Sequence, residues 1–461
     1  MESMPSIKKL HKKPAFFEGT LSYLREFCNS YLFYIFLTVL ACTISYTRNE
    51  VKGVILFIGI ICALLLICED VMPLALPILL VCTFSTSCYD SFDLFIGYVV
   101  YAPIAAACLL FHFVVYRKKI SLGPSIWGIF AVSIAICLGG LGRFTTMEYI
   151  MGGYYVFGLS FGMLAGYVLL KSEFSAPRSY DIKIRFSAIM TLVGMLCLFM
   201  ILAGRYQVSK GNAYSYYKYG VSPNNIATMI MFAMPFPLYL AKKKGFFWAI
   251  LTPVIFSGLC LNTSRGGLLF GTVEFIVCCL YWTCQGKGTW KITVRFIVCL
   301  FVAATVVFIV GDQLWDLIFR RFIQEEIDGS ERHTMILQAF ENFRENPFVG
   351  TGLLDDSIAY GRTNKQGTMA WYHMMIPQVI GSMGLVGILA YGYQILGRVK
   401  LIFKKCSWWS LCLGISYLGI LLMSQVNPGE FCPMPFELLT VFLFILQERR
   451  FERHALWEKR V

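Results

Sequence analysis

The sequence predicts an all-α polytopic membrane protein, with about 14 transmembrane helices and one large helical loop on its outer side. Three observations predict it. Of the 461 residues 57% are hydrophobic, and the mean hydropathy is +0.65, beyond the composition of soluble domains. Apolar runs long enough to cross ~30 Å of hydrocarbon recur along nearly the whole chain. After residue 30 a single long polar interval, residues 311–371, interrupts them.

Taken in order, residues 1–29 form a basic N-terminus and nothing in Ser30–Tyr46 looks like a small-residue cleavage site, so no cleavable signal is expected. Residues 30–203 hold N-terminal spans, expected at roughly 30–46, 52–68, 71–88, 94–116, 124–141, 149–170 and 186–204. Residues 204–395 form a second region, with spans at roughly 224–241, 245–261, 266–283, 292–310 and 373–395 around the loop 311–372. Two more spans, at roughly 406–425 and 434–447, fill residues 396–447, and a basic tail, 448–461, closes the chain. Orientation follows from Lys and Arg. With the N-terminus cytoplasmic, 27 of the 40 fall on inside segments, Lys171 and Arg398 among them. Both termini are then inside and the long loop is outside.

Composition also excludes several classes. The 17 cysteines are scattered singly through apolar runs without zinc spacing, which reads as packing. The five histidines lie far apart, so no metal site is expected. The net charge of +13 sits on the inside flanks, as in a membrane protein, and no nucleic-acid partner is expected.

The outer segments hold the candidate chemistry. In the long loop Ser330 caps an expected helix with apolar Ile336, Ala339, Phe340 and Phe343 at helical spacing, ended by Asn346-Pro347, Gly350 and Gly352. Arg332 then falls in the first turn, where a helix dipole disfavours a cation and a bound anion would relieve it. Neutralisation by Asp328 and Glu331 on a solvated face is the alternative. The turn at residues 262–267, Asn-Thr-Ser-Arg-Gly-Gly, repeats the arrangement. Thr263 or Ser264 caps the next span and Arg265 stands at its N-terminus, as an anion ligand or as a cation snorkelling to headgroups. A third outer segment, 204–225, carries Arg205, Lys210 and Lys218 among five tyrosines, which stack on sugars or form an interfacial aromatic belt. His373 opens the span after the loop, with Gln378 five residues on. It is a base near neutral pH or an interfacial hydrogen-bonder. Gly381, Gly384 and Gly387 read as close helix packing. Glu274, inside its span, is a functional or a structural acid.

The order of these features resembles the O-antigen ligase and O-antigen polymerase superfamily. The features are Ser-Pro223-Asn224-Asn225, Ser264-Arg265-Gly266, Ser330-Glu331-Arg332, Glu345-Asn346-Pro347-Phe348-Val349-Gly350-Thr351-Gly352, and Tyr372-His373 with Gln378 and Gly384-Leu-Val-Gly387. The resemblance covers roughly residues 200–395. It departs at Met374, where many relatives have Asn. It implies a GT-C-like fold and a glycosyltransferase of the bacterial cytoplasmic membrane, free of metal and cofactor. Such an enzyme moves an undecaprenyl-diphosphate-linked oligosaccharide onto a sugar hydroxyl, in O-antigen, capsule or exopolysaccharide synthesis. Its partners would be that lipid-linked donor, membrane lipids and a chain-length regulator protein. By motif, Arg265 and Arg332 match the family's functional arginines and His373 its loop-end histidine. Arg205, Asn225, Ser264, Tyr372 and Gln378 are the expected substrate-binding residues. The span number favours a polymerase; a ligase acting on lipid A-core or another acceptor is the alternative. A lipid-linked sugar flippase is a third reading, against which no internal repeat is evident.

Overall fold

The computed structural model describes residues 15–87, 102–116, 119–139, 157–174, 180–209, 222–262, 264–286, 288, 290–295, 297–298, 301, 327–352, 372, 374–404, 406–427, 429–431 and 436–458. Among them every regular element is a helix. In chain order these are α1 (Ala15–Cys28), α2 (Tyr31–Tyr46), α3 (Glu50–Ile67), α4 (Ala75–Ser87), α5 (Ala102–Val115), α6 (Ile126–Leu138), α7 (Met163–Phe174) and α8 (Ile182–Ser209). There follow α9 (Pro223–Ala233), α10 (Phe236–Lys244), α11 (Leu251–Leu261), α12 (Arg265–Cys284), α13 (Ile327–Glu345), α14 (Met375–Phe403), α15 (Trp408–Met423) and α16 (Leu438–Glu458).

Among the described residues four helices are long and apolar enough to cross a bilayer alone: Glu50–Ile67, Ile182–Tyr206, Arg265–Cys284 and Met375–Phe403. The pair α1–α2, bent by 69°, reaches the same length and hydropathy only if counted as one span, and six shorter apolar helices accompany them. The chain is thus an integral membrane protein of helices, as its hydropathy requires. Parts of the spans expected at 94–116, 124–141, 149–170 and 292–310 lie outside the described residues.

Two spans depart from simple rods. The stretch expected as one span at 224–241 divides into α9 and α10 at Met234-Pro235, where proline supplies no N–H to continue the ladder. Helix α14 runs on past the expected end at residue 395 to Phe403 and is broken at Gly384, whose φ of 58° and ψ of −147° only glycine adopts readily. The break frees backbone groups on both sides, and the segment after α13 takes them up. The N–H groups of Thr351 and Gly352 donate to the carbonyls of Gly381 and Ser382, both at 2.9 Å. Those of Leu385 and Val386 donate to Pro347 at 2.8 Å and Phe348 at 3.0 Å. The stretch Asn346–Gly352 is therefore a backbone patch set into a broken membrane helix, which satisfies groups that lipid cannot. A side chain at Gly384 would have its Cβ 2.6 Å from the Pro347 carbonyl. Gly384→Ala is expected to lower the thermal midpoint of the detergent-purified protein by several degrees, for strain of about 1–3 kcal/mol. An unchanged midpoint would show that the break carries no constraint.

Two cations counted on the inside flanks are buried instead. Lys171 lies 3.3 Å from Glu448, whose carboxylate also accepts from Tyr167 and from the Ser125 backbone. Arg398 pairs with Glu430 where both are nearly inaccessible, at 2% and 1% exposure. Neither contributes flank charge to the orientation. Burial costs an ion several kcal/mol unless it is paired, and long-range packing supplies both partners.

Candidate functional site

The site grows from two helix N-termini laid side by side. Helix α9 begins at Ser222-Pro223, proline at N1 being pre-shaped for a helix start. Helix α12 begins at Arg265, with Ser264 as N-cap: its Oγ accepts from the Gly267 N–H at 2.9 Å. The Ser264 hydroxyl also donates to Asn224 Oδ1 at 2.6 Å, and Asn262 Nδ2 donates to the Pro223 carbonyl at 2.7 Å. Both starts are thereby locked in one register. Gly267 permits this approach, since a Cβ there would come within 2.5 Å of Ala227. Arg205, at the end of α8, is exposed and donates from Nε to the Leu261 carbonyl at 2.9 Å. That carbonyl terminates α11, just before the turn carrying Arg265. Of the cations expected to act, Arg205 is thus held at the end of α11, four residues before Arg265 in the chain.

A second turn, residues 424–431, joins these helix starts to α14. Asn427 Nδ2 donates to Asn225 Oδ1 at 2.8 Å, and Val426 packs on Gly266, where a Cβ would meet it at 2.5 Å. Ser424 accepts the Met375 N–H on its carbonyl at 2.9 Å and the Glu430 N–H on its hydroxyl at 3.0 Å. Beneath the turn, the Glu430 carboxylate pairs with Arg398 and accepts from Tyr417 at 3.0 Å. One strut thus touches the neighbours of Asn225, of Arg265 and of the α14 start, and is pinned from inside the bundle. Only tertiary packing reveals it. The signals for it were an acid and an arginine bracketing apolar helices, at Glu430 and Arg398, to which the rule for intramembrane charges applies.

Tyr372 and Gln378 are both fully buried. Gln378 Oε1 accepts from the Tyr372 N–H at 3.1 Å and its Nε2 donates to Ser382 at 3.0 Å. The Tyr372 hydroxyl accepts from Asn342 of α13 at 2.7 Å. These polar atoms face protein partners and hold the backbone just before α14, while Ser424 holds it just inside. Tyr372, with Met335 and Ala339, also forms the small core that seats α13 across the first half of α14.

Helix α13 already includes Ile327, three residues before Ser330, so Ser330 lies within the helix and is not its cap. Arg332 consequently lies past the first turn, and the first-turn conflict read from the sequence is weaker there. Its side chain and His373 lie outside the described residues.

Glu274 does not join this site. It is buried in α12 against Gly419 of α15, roughly 14 Å along the axis from Arg265. Among the described residues neither carboxylate oxygen has a hydrogen-bond partner. Among the described residues no cluster of His, Cys, Asp and Glu is placed to hold a metal ion.

Comparison with protein families matches residues 249–392 to the family described as O-antigen ligase, Wzy_C. The matched region spans α11, α12, α13 and the first half of α14, and so holds Arg265, Arg332, Tyr372, His373 and Gln378. It ends before the 424–431 turn. No curated protein matches the chain.

Proposed function

From a chain that carries an O-antigen ligase family region at residues 249–392, we propose a membrane glycosyltransferase. It polymerises oligosaccharide repeats linked to undecaprenyl diphosphate on the outer face of the bacterial cytoplasmic membrane. The observation that carries the proposal is Arg265 at the N-terminus of a membrane-spanning helix, locked beside a second helix N-terminus. Two positive dipole ends and a guanidinium favour a diphosphate there.

In the reaction the oxygen of an acceptor hydroxyl attacks the anomeric carbon of the donor. The bond from that carbon to the phosphate oxygen breaks, and the diphosphate leaves with the electron pair. Arg265 stabilises the charge that develops on it, joined by Arg332 and, beside the same turn, Arg205. His373 takes the hydroxyl proton. A single displacement inverts the anomeric configuration. The developing charge is met by guanidiniums and backbone dipoles, so the reaction proceeds without a metal, and activity is expected to survive excess EDTA.

Purified protein given lipid-linked oligosaccharide from its native host should produce a ladder of lengthening glycans on a gel. A single shifted acceptor band would identify a ligase instead. Absence of both products would overturn the enzyme reading and return the lipid-linked sugar transporter. His373→Ala should leave donor retention intact and slow transfer by about 10²–10⁴-fold, the range of general base catalysis. Unchanged turnover would remove His373 as the base.

A further inference from the structure

Chemistry not used by the transfer site gathers at the opposite end of α12. The last half of that helix turns Phe275, Cys278 and Trp282 to an open apolar cleft, closed on its other sides by Leu238 of α10, Ile250, and Pro253 of α11. The cleft lies roughly 15–25 Å along the helix from Arg265, and its rim is cationic and aromatic. The Arg295 guanidinium sits 5.3 Å from the Trp282 ring centre and donates to the Trp282 carbonyl at 2.9 Å. Helix α10, which supplies Leu238, ends one turn later in Lys242-Lys243-Lys244, all exposed. Lys242 lies 4.1 Å from the Trp408 ring centre. Phe247 and Trp290, at 81% and 78% exposure, flank the same end, as side chains do at a headgroup layer.

The charge around the cleft is one-sided. Between Asp181 and Asp312 the chain contains a single acid, Glu274, which is buried within α12. The stretch that holds Lys242–Lys244, Lys291 and Arg295 therefore carries a strong net positive charge. A ligand matching this surface is anionic at one end and apolar over the rest.

We propose that this cleft binds an anionic glycerophospholipid from the leaflet opposite the transfer site. An acyl chain enters between Ile250, Pro253 and Cys279 towards the floor made by Phe275 and Trp282, and the phosphate meets Arg295 and the Lys242–Lys244 run. The apolar cleft supplies the chain's environment, while the cations distinguish the lipid from a zwitterionic one, by roughly fivefold for each cation engaged. This site does not depend on the glycosyltransferase reading.

The test is native mass spectrometry of the full-length protein released from nanodiscs of equal phosphatidylglycerol and phosphatidylcholine. At least a tenfold preference for retained phosphatidylglycerol is expected. Lys242→Gln with Arg295→Gln should bring it near parity, whereas Lys119→Gln, an exposed cation outside the cleft, should leave it unchanged. Cys279→Trp fills the cleft with every cation in place and should expel the lipid. If that variant does not fold, Ala249→Leu fills the same space. Equal retention of both lipids in the wild type would overturn the site. Undiminished phosphatidylglycerol in the folded filling variant would reduce it to surface charge and overturn it too. Thermal stabilisation by inorganic phosphate equal to that by phosphatidylglycerol would show a phosphate site that needs no chain, against the proposal.

Discussion

Arg265→Ala should reduce glycan extension by about 10²–10³-fold, the loss seen when one donor to a developing negative charge is removed, with membrane levels of the protein unchanged. The level should hold because Arg265 is only half-buried at a helix N-terminus, a position where a cation opposes the dipole. The cap that starts the helix belongs to Ser264 and remains. Arg265→Lys should recover little. A point charge lacks the planar fork that holds two phosphate oxygens at once. Glycan length is read on the ladder gel and protein level by immunoblot of the membrane fraction. Wild-type ladders from either variant would remove Arg265 from the diphosphate site.

Breaking the Arg398–Glu430 pair from one side should be the most destabilising single change in the bundle. Arg398→Leu leaves the Glu430 carboxylate without its cation at a position 1% exposed, for a cost of about 3–5 kcal/mol, whereas Glu430→Leu leaves Arg398 the neighbouring buried Glu437 and should cost less. A large fall in the amount of folded protein recovered from membranes is expected. The double variant Arg398→Leu/Glu430→Leu removes both members of the pair and should recover part of the folded protein, since such replacements are often neutral or stabilising, with buried Glu437 the one acid left without its cation. Transfer should nonetheless stay down by roughly tenfold or more. The turn bearing Ser424, Val426 and Asn427 would lose its anchor, and small misplacements at a reacting centre are costly. A melting curve separates the two effects. If the double variant matches wild type in turnover, the pair serves stability alone. Single variants as stable as wild type would mean that the pair contributes nothing to folding.

Much of this site was legible before folding because it is local. Ser264 caps α12 through the N–H three residues on, and Arg265 follows it; both facts follow from adjacent residues. The Asn-Pro and glycine signals at 346–352 correctly ended α13. Their second role, patching α14, was hidden: Gly384 looked like a packing glycine, and the donors to its broken ladder lie about thirty residues earlier. Asn427 was equally hidden, because its partner Asn225 is 202 residues away. Tyr372 and Gln378 were read as facing a ligand, and the fold turns the polar atoms described here towards each other and towards α13 and Ser382.

Hydropathy and short-range spacing determined by themselves that this chain is a helical membrane protein with an arginine at a capped helix start, since both properties depend on neighbours within a turn or on the solvent. Tertiary structure alone decided which helix starts meet, where α14 breaks, and that Arg398 and Lys171 are buried ions and not flank charges. Those outcomes rest on contacts between distant segments. A lone charge in hydrocarbon and a broken ladder in lipid are both too costly to leave unmet, so the fold had to bring each its partner.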